Sequence, residues 1–268
     1  MHIHFLDPYR PRLSPVHAFD PRVKFVLTLA YILTAALAPI AAWPVYILLL
    51  AIALAVEILS GLGIGYVLKR ASLALPFVLA AIPLIFTYGQ SVLFSFSIST
   101  LTFTGYSEGL VRFASVALKS WLSVQAAILL AASTPFPDLL QAMRAVGIPR
   151  LLVAMFGLMW RYLFVLADEA LRLLRARAAR SGQDTKAGQR SGGSMAWRAR
   201  VAGGMTGSLF LRAFERSDRI YMAMTARGYD GEIRALPLPP VKPSAWLALG
   251  FGLSLFLLLL LLGILFQG

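Results

Sequence analysis

Ala245 to Phe266 reads AWLALGFGLSLFLLLLLLGILF, 22 residues without a charge. About 20 apolar residues suffice for a helix to cross the hydrocarbon core of a bilayer, so this run predicts a membrane span. Similar runs lie upstream. Phe113 to Ser133 carries Lys119 as its one charge. Ala71 to Ser107 carries none, predicting a span from about Leu73 to Phe94 and then a Ser/Thr-rich stretch, Ser95 to Thr104. Phe25 to Leu68 has only Glu57 and is about twice the length one crossing needs. Pro39 and Pro44 flank Ala41–Trp43 and divide it into two helices joined by a tight turn. Any one such run could be a buried helix of a soluble protein; five together could not. The expected fold is an all-α integral membrane protein, a bundle of about five transmembrane helices.

Composition agrees. Of the 268 residues 59% are hydrophobic and 14% charged, against about 25% charged in ordinary soluble domains. So few charges cannot cover a soluble surface of this size, which excludes a soluble enzyme. The apolar content excludes a disordered basic tail. The chain has no cysteine, which removes disulfides, thiolate nucleophiles and iron–sulfur ligation. The net charge is +13, and its distribution orients the spans. Arg10, Arg12, Arg22 and Lys24 precede the first span and Lys69–Arg70 follow the second, whereas the turn near Pro39–Pro44 and the stretch 95–107 have neither Lys nor Arg. The expected organisation is a cytoplasmic N-terminal segment (1–24), transmembrane helices one to four (25–133), a cytoplasmic or interfacial region (134–243) and a final span (244–268) with its end outside.

The region before the last span is the anomaly. Asp138 to Lys242 holds 17 of the 25 Lys and Arg and 8 of the 12 Asp and Glu. Leu151 to Ala167 within it is strongly apolar, yet Arg150 precedes it, Arg161 interrupts it, and Arg172, Arg175, Arg177 and Arg180 follow it. Crossing the bilayer with those arginines is costly, so an amphipathic helix lying along the membrane or the bundle is expected. A sixth span, placing the C-terminus inside, is the alternative. Gly182 to Ser194 (GQDTKAGQRSGGS) is a polar linker. A second helix, about Met195 to Thr225, sets Phe210, Phe214, Ser217, Tyr221 and Met224 on one face. Arg212, Glu215, Arg216 and Arg219 stand on the other, with Glu215 four residues before Arg219 as a supporting pair. Pro237, Pro239, Pro240 and Pro243 make a stiff connector to the final span.

Most catalytic chemistry has no residues to carry it. The three histidines, His2, His4 and His17, all precede the first span and build no Ser/His/Asp arrangement. His2 and His4 with the amino terminus could bind a divalent metal, but an ordinary tail is the simpler reading. Glu57 is expected to reach the headgroups or pair locally rather than relay protons. Lys119 either lines the bundle interior or snorkels to its edge. No G-x-x-x-x-G-K-[ST] is present, so nucleotide hydrolysis is not expected of this chain. The basic region contains no nucleic-acid reader motif, and anionic lipid headgroups are its nearer counter-charge.

Two short motifs recur at helix ends. Ala179–Arg180–Ser181 precedes Gly182, and Ala226–Arg227–Gly228 precedes Tyr229–Asp230–Gly231. A glycine just past a helix and an arginine in its last turn make an ordinary stop. Each motif also places a guanidinium at a helix end with little bulk around it, suited to bidentate capture in an acidic groove.

With these motifs the chain resembles the transmembrane T component, EcfT/CbiQ type, of energy-coupling factor transporters. The resemblance rests on Leu13 to Leu29 (LSPVHAFDPRVKFVLTL), especially Asp20–Pro21–Arg22–Val23–Lys24, on Pro137 to Pro149 (PDLLQAMRAVGIP), and on the paired arginine triplets, the second within Met222 to Tyr229. It runs in order from about residue 13 to the last span. Ser181 departs from the pattern, standing where glycine is common. The resemblance implies a non-catalytic subunit with no ATPase, cofactor or substrate pocket of its own. It implies two cytoplasmic ATPases, which bind ATP and magnesium and receive Arg180 and Arg227, and a small membrane S component that holds the cargo. Arg172, Arg175, Glu215 and Arg219 would be supporting charges on the coupling helices. The cobalt or nickel branch looks nearest, with a vitamin as the other cargo class. Two readings of other classes compete: a basic scaffold on the membrane surface, and a membrane enzyme for lipid-linked substrates, which would need clustered Asp, Glu or His at a membrane face.

Overall fold

The computed structural model describes residues 7–72, 75–87, 91–98, 101–180, 194–231 and 239–266. These form two compact units, one of residues 8–147 with 238–268, the other within 148–237. The first is the helical bundle. Its elements are α1 (Pro15–Ala18), α2 (Pro21–Leu37), α3 (Trp43–Ser60), α4 (Ile64–Ala71), α5 (Leu75–Leu79), α6 (Leu84–Thr87), a hairpin of β1 (Val92–Ile98) and β2 (Leu101–Tyr106), α7 (Ser107–Ser133), α8 (Phe136–Ala145) and, after the second unit, α11 (Pro243–Leu265). The second unit consists of α9 (Arg150–Arg180) and α10 (Met195–Thr225). Among the described residues four helices, α3, α7, α9 and α11, are long and apolar enough to cross a membrane. The chain is a helical membrane protein.

The Asp-Pro-Arg entry works as a helix start. Asp20 caps α2, its carboxylate accepting the Arg22 N–H at 2.9 Å, and Pro21 occupies the first turn, where no N–H is needed. Helix α2 then runs antiparallel to α7 and the two are tied at both ends. Lys24 Nζ donates to the Ser133 carbonyl at 3.1 Å. At the other end Lys119 Nζ donates to the carbonyls of Ala36, at 3.3 Å, and Ala38, and the Ala41 N–H donates to Ser115 Oγ at 3.1 Å. Lys119 therefore caps a helix C-terminus within the bundle. Helix α3 returns antiparallel to α2 after the turn at Ala38–Ala42, with Tyr31 Oη donating to the Leu49 carbonyl at 3.0 Å. Helix α11 runs parallel to α2: Gly252 meets Leu27, Tyr31 stacks edge-on to Phe256 at 5.8 Å, and Gly263 meets Pro39. The core joins these helices through Ala35, Val45, Tyr46, Leu49, Leu122 and Leu259.

Ahead of α2 the chain folds back on the bundle. The Arg10 N–H donates to the Ala132 carbonyl at 3.0 Å and its guanidinium lies 3.9 Å from the centre of the Tyr66 ring. The His17 ring bridges Ser14 Oγ at 2.7 Å and the Arg10 carbonyl at 3.0 Å. Burial pulls its pKa below the usual histidine value, partly opposed by the bond to that carbonyl.

Three expectations need correction. The span predicted from Leu73 to Phe94 is not one helix but the short α5 and α6 followed by β1. Pro76 and Pro83 withhold backbone donors and clash with the preceding turn, and the connection from 80 to 86 is carried largely by tight i→i+3 bonds. The stretch read as merely Ser/Thr-rich contains an antiparallel hairpin with a register shift between Val92 and Phe94. Glu57 does not reach the headgroups: it is 0% exposed, and neither carboxylate oxygen has a hydrogen-bond partner among the described residues. His2 and His4 lie outside the described residues.

The close approach of α6 to α7 requires a glycine. A Cβ at Gly109 would stand 2.7 Å from the carbonyl oxygens of Leu84 and Ile85. Gly109→Ala should cost about 1–3 kcal/mol, read as a lower Tm of the purified protein. Gly203→Ala, which meets open space on α10, should leave Tm unchanged or slightly raised.

Candidate functional site

Both arginine motifs belong to the α9–α10 unit. Each helix has 31 residues, a rod about 45 Å long. They run antiparallel. At one end the Arg177 guanidinium stands 5.9 Å from the Trp197 ring centre. Midway, Glu169 on α9 receives Arg212 at 3.5 Å and Arg216 at 3.2 Å from α10. At the far end Leu151 and Tyr229 line one apolar cleft of about 390 Å³ with Leu158, Tyr162, Ile220 and Met224.

Ala179 and Arg180 are the last residues of α9, and both are exposed. Ser181 and the linker residues 182–193 lie outside the described residues. Helix α10 begins at Ser194, whose Oγ accepts the Trp197 N–H at 3.2 Å. It ends in a tight turn over Ala226–Arg227–Gly228. The Arg227 and Tyr229 N–H groups return to the Met224 carbonyl at 3.1 and 3.0 Å. Gly228 has φ +79°, a conformation that favours glycine over any residue with a Cβ. The turn leaves Arg227 exposed. Arg180 thus stands where α9 ends and α10 begins, whereas Arg227 stands past the opposite end of α10. About 45 Å of helix separates them.

The supporting charges divide. Arg172 Nε reaches the Asp168 carbonyl at 3.4 Å, and Arg175 is exposed. Glu215 and Arg219 are both exposed and make no ion pair with each other. The acidic partner of α10 comes from the other helix, Glu169, whose side chain is 14% exposed. An exposed i,i+4 pair gains little, while a carboxylate held between two helices is partly shielded from water. The signal for it was Asp168–Glu169 at the point where the apolar half of α9 gives way to arginines. Large apolar side chains remain uncovered within this unit: Met155, Met159, Phe210, Phe214, Tyr221 and Met222 are each more than half exposed. Among the described residues no group of three or more His, Asp or Glu is placed to hold a metal ion.

Residues 13–237 match the family model described as cobalt transport protein, CbiQ. The chain belongs to this family. Its CbiQ character covers the entry motif, the bundle through α8 and both motif-bearing helices. The chain is similar to an energy-coupling factor transporter transmembrane protein, EcfT, of Thermosediminibacter oceani, with 27% identity over 231 residues and 84% of each chain covered. It is 32% identical over 136 residues to the cobalt transport protein CbiQ of Rhodobacter capsulatus, covering 51% of each chain. An uncharacterized protein of Methanocaldococcus jannaschii is 26% identical over 196 residues, 71% of this chain and 64% of the relative. A transport family, not an enzyme family, accounts for this CbiQ homologue.

The α9–α10 pairing makes a direct prediction. Glu169→Gln should leave Arg212 and the partly buried Arg216 without a counter-charge and cost about 1 kcal/mol. Hydrogen exchange of α10 backbone amides near Arg216 should accelerate. Glu215→Gln should leave that exchange unchanged.

Proposed function

We propose that this protein is the membrane-embedded coupling subunit of an energy-coupling factor importer. It transmits ATP-driven motion of two cytoplasmic ATPases to a separate small membrane component that binds the cargo. The observation that carries this reading is the placement of Arg180 and Arg227 at opposite ends of one antiparallel helix pair. Two exposed arginines about 45 Å apart suit two separate acidic grooves better than one, and a shared helix pair lets both partners act on it together. The uncovered apolar side chains of α9 and α10 suit the membrane interface and the cargo-binding component. ATP and magnesium would be held by the partners. The cargo most consistent with the family description is cobalt, or nickel by chemical similarity, with a vitamin as the other class.

The bundle supports a cytoplasmic N-terminus. Lys24 meets the end of α7, and α11 runs parallel to α2. Helix α7 therefore ends, and α11 begins, at the face where Arg22, Lys24 and Lys242 lie, and the intervening region leaves and returns there. A single additional crossing by α9 would put the start of α11 on the opposite face, which favours an in-plane α9 over a sixth span. The positive face is assigned to the cytoplasm, where anionic lipids meet the remaining arginines. Cysteines introduced at Ile40 and Phe266 should react with a membrane-impermeant reagent from outside intact cells, and one at Leu13 should not. Reaction at Leu13 and not at the other two reverses the orientation.

The coupling reading is tested by assembly. Arg180→Ala and Arg227→Ala should each weaken ATPase co-purification and ATP-dependent uptake, because removing one partner of a desolvated pair strands the other charge at about 2–5 kcal/mol. The double variant should nearly abolish both. Lysine should restore only part, since a point charge does not reproduce a bidentate fork. Arg200→Ala, basic and exposed but outside the motifs, should behave like the parent. Assembly and uptake intact in the double variant, with loss in Arg200→Ala, would transfer the role to a general basic surface.

A further inference from the structure

Between α2, α3, α7 and α11 lies a cavity of about 420 Å³, walled by apolar side chains including Leu27, Ala126 and Phe256. Four buried polar residues, Lys24, Glu57, Gln125 and Ser133, also line it. Glu57 is 0% and Gln125 1% exposed. Among the described residues neither Glu57 oxygen, and neither the Gln125 Oε1 nor its Nε2, has a hydrogen-bond partner. Lys24 lines the same cavity, but its ammonium donates to the Ser133 carbonyl. Buried polar groups in a membrane interior are costly unless paired, and an intramembrane carboxylate is a site before it is a structural residue.

The unpaired atoms set the chemistry that a ligand of this cavity would need. Three are acceptors, the two Glu57 oxygens and Gln125 Oε1, the fourth is the Gln125 Nε2 donor, and Glu57 supplies a negative charge when a cation sits beside it. One carboxylate and one amide within apolar walls are too few oxygens for a divalent cation. Water would supply donors but no counter-charge. A primary ammonium carries three N–H donors and one positive charge, and an alkyl body attached to it matches the apolar walls. We propose that this cavity binds an amphiphile with a primary ammonium head, seated on Glu57 and Gln125. A free alkylamine and a lipid with an ethanolamine headgroup share this chemistry. The site stands independently of whether Arg180 and Arg227 dock on ATPases.

The test uses the full chain in nanodiscs made of phosphatidylcholine alone. n-Octylamine should raise Tm in a saturable manner, and n-octanol, with the same body and no charge, should not. Nanodiscs containing phosphatidylethanolamine distinguish the sources. A raised Tm there, together with a smaller further effect of n-octylamine, assigns the lipid; an unchanged Tm assigns the free amine. Glu57→Gln should weaken the apparent affinity for n-octylamine about tenfold or more, as loss of a buried charge pair does. Ala126→Leu, which fills the cavity and leaves Glu57 in place, should abolish the shift and serves equally if Glu57→Gln does not fold. No saturable shift with either amine source overturns the proposal. So does an undiminished shift in Glu57→Gln or Ala126→Leu, since the amine would then act through the bilayer.

Discussion

Two lysines on antiparallel helices, each donating to carbonyls at the end of the other helix, hold this bundle in register. Lys24, near the start of α2, reaches Ser133 at the end of α7. Lys119, on α7, reaches Ala36 and Ala38 at the end of α2. The last carbonyls of a helix have no partner within it, and in hydrocarbon no water replaces one. The same ammonium groups would be expensive without acceptors. Each cation thus meets the negative end of a helix dipole, and two unfavourable placements become one stable contact. Sliding α2 along α7 by a turn would break both ties together.

The remaining packing follows from that register. With α2 fixed, Pro39 and Ala42 turn the chain so that α3 lays Val45, Tyr46 and Leu49 into the core. Gly252 and Gly263 allow α11 to approach Leu27 and Pro39. Because α11 is parallel to α2, the chain re-enters the bundle at the end where α7 leaves it.

The helix pair and the bundle divide the chemistry. The pair carries exposed guanidinium groups set apart by helix length, with Glu169 bridging the two helices. The bundle holds an apolar cavity lined by a buried carboxyl group without a hydrogen-bond partner among the described residues. Exposed arginines suit protein or lipid surfaces, whereas a buried unpaired carboxyl group suits a small cationic ligand. Neither feature contains the clustered groups that bond-breaking catalysis requires.

The sequence by itself determined the membrane class, the division of the first long apolar run into two helices at Pro39–Pro44, the final apolar helix, and the family. These depend on local run lengths, prolines and caps, which the chain writes in order. The arginine triplets were legible for the same reason, as a glycine beyond a helix end announces the turn at Gly228. Tertiary structure alone decided the rest. Glu57 looked like a residue near a helix end able to reach water, but neighbouring helices close over it. Glu215 had a partner at the right spacing, yet the ion pairing goes to Glu169, some forty residues away. The uncharged run from Ala71 to Ser107 looked long enough to cross in one helix, until Pro76 and Pro83 divided it and packing against α7 took up the pieces. The 45 Å between Arg180 and Arg227 is likewise absent from any local pattern. It arises because α9 and α10 pair antiparallel, and such pairing depends on contacts between residues distant in the chain.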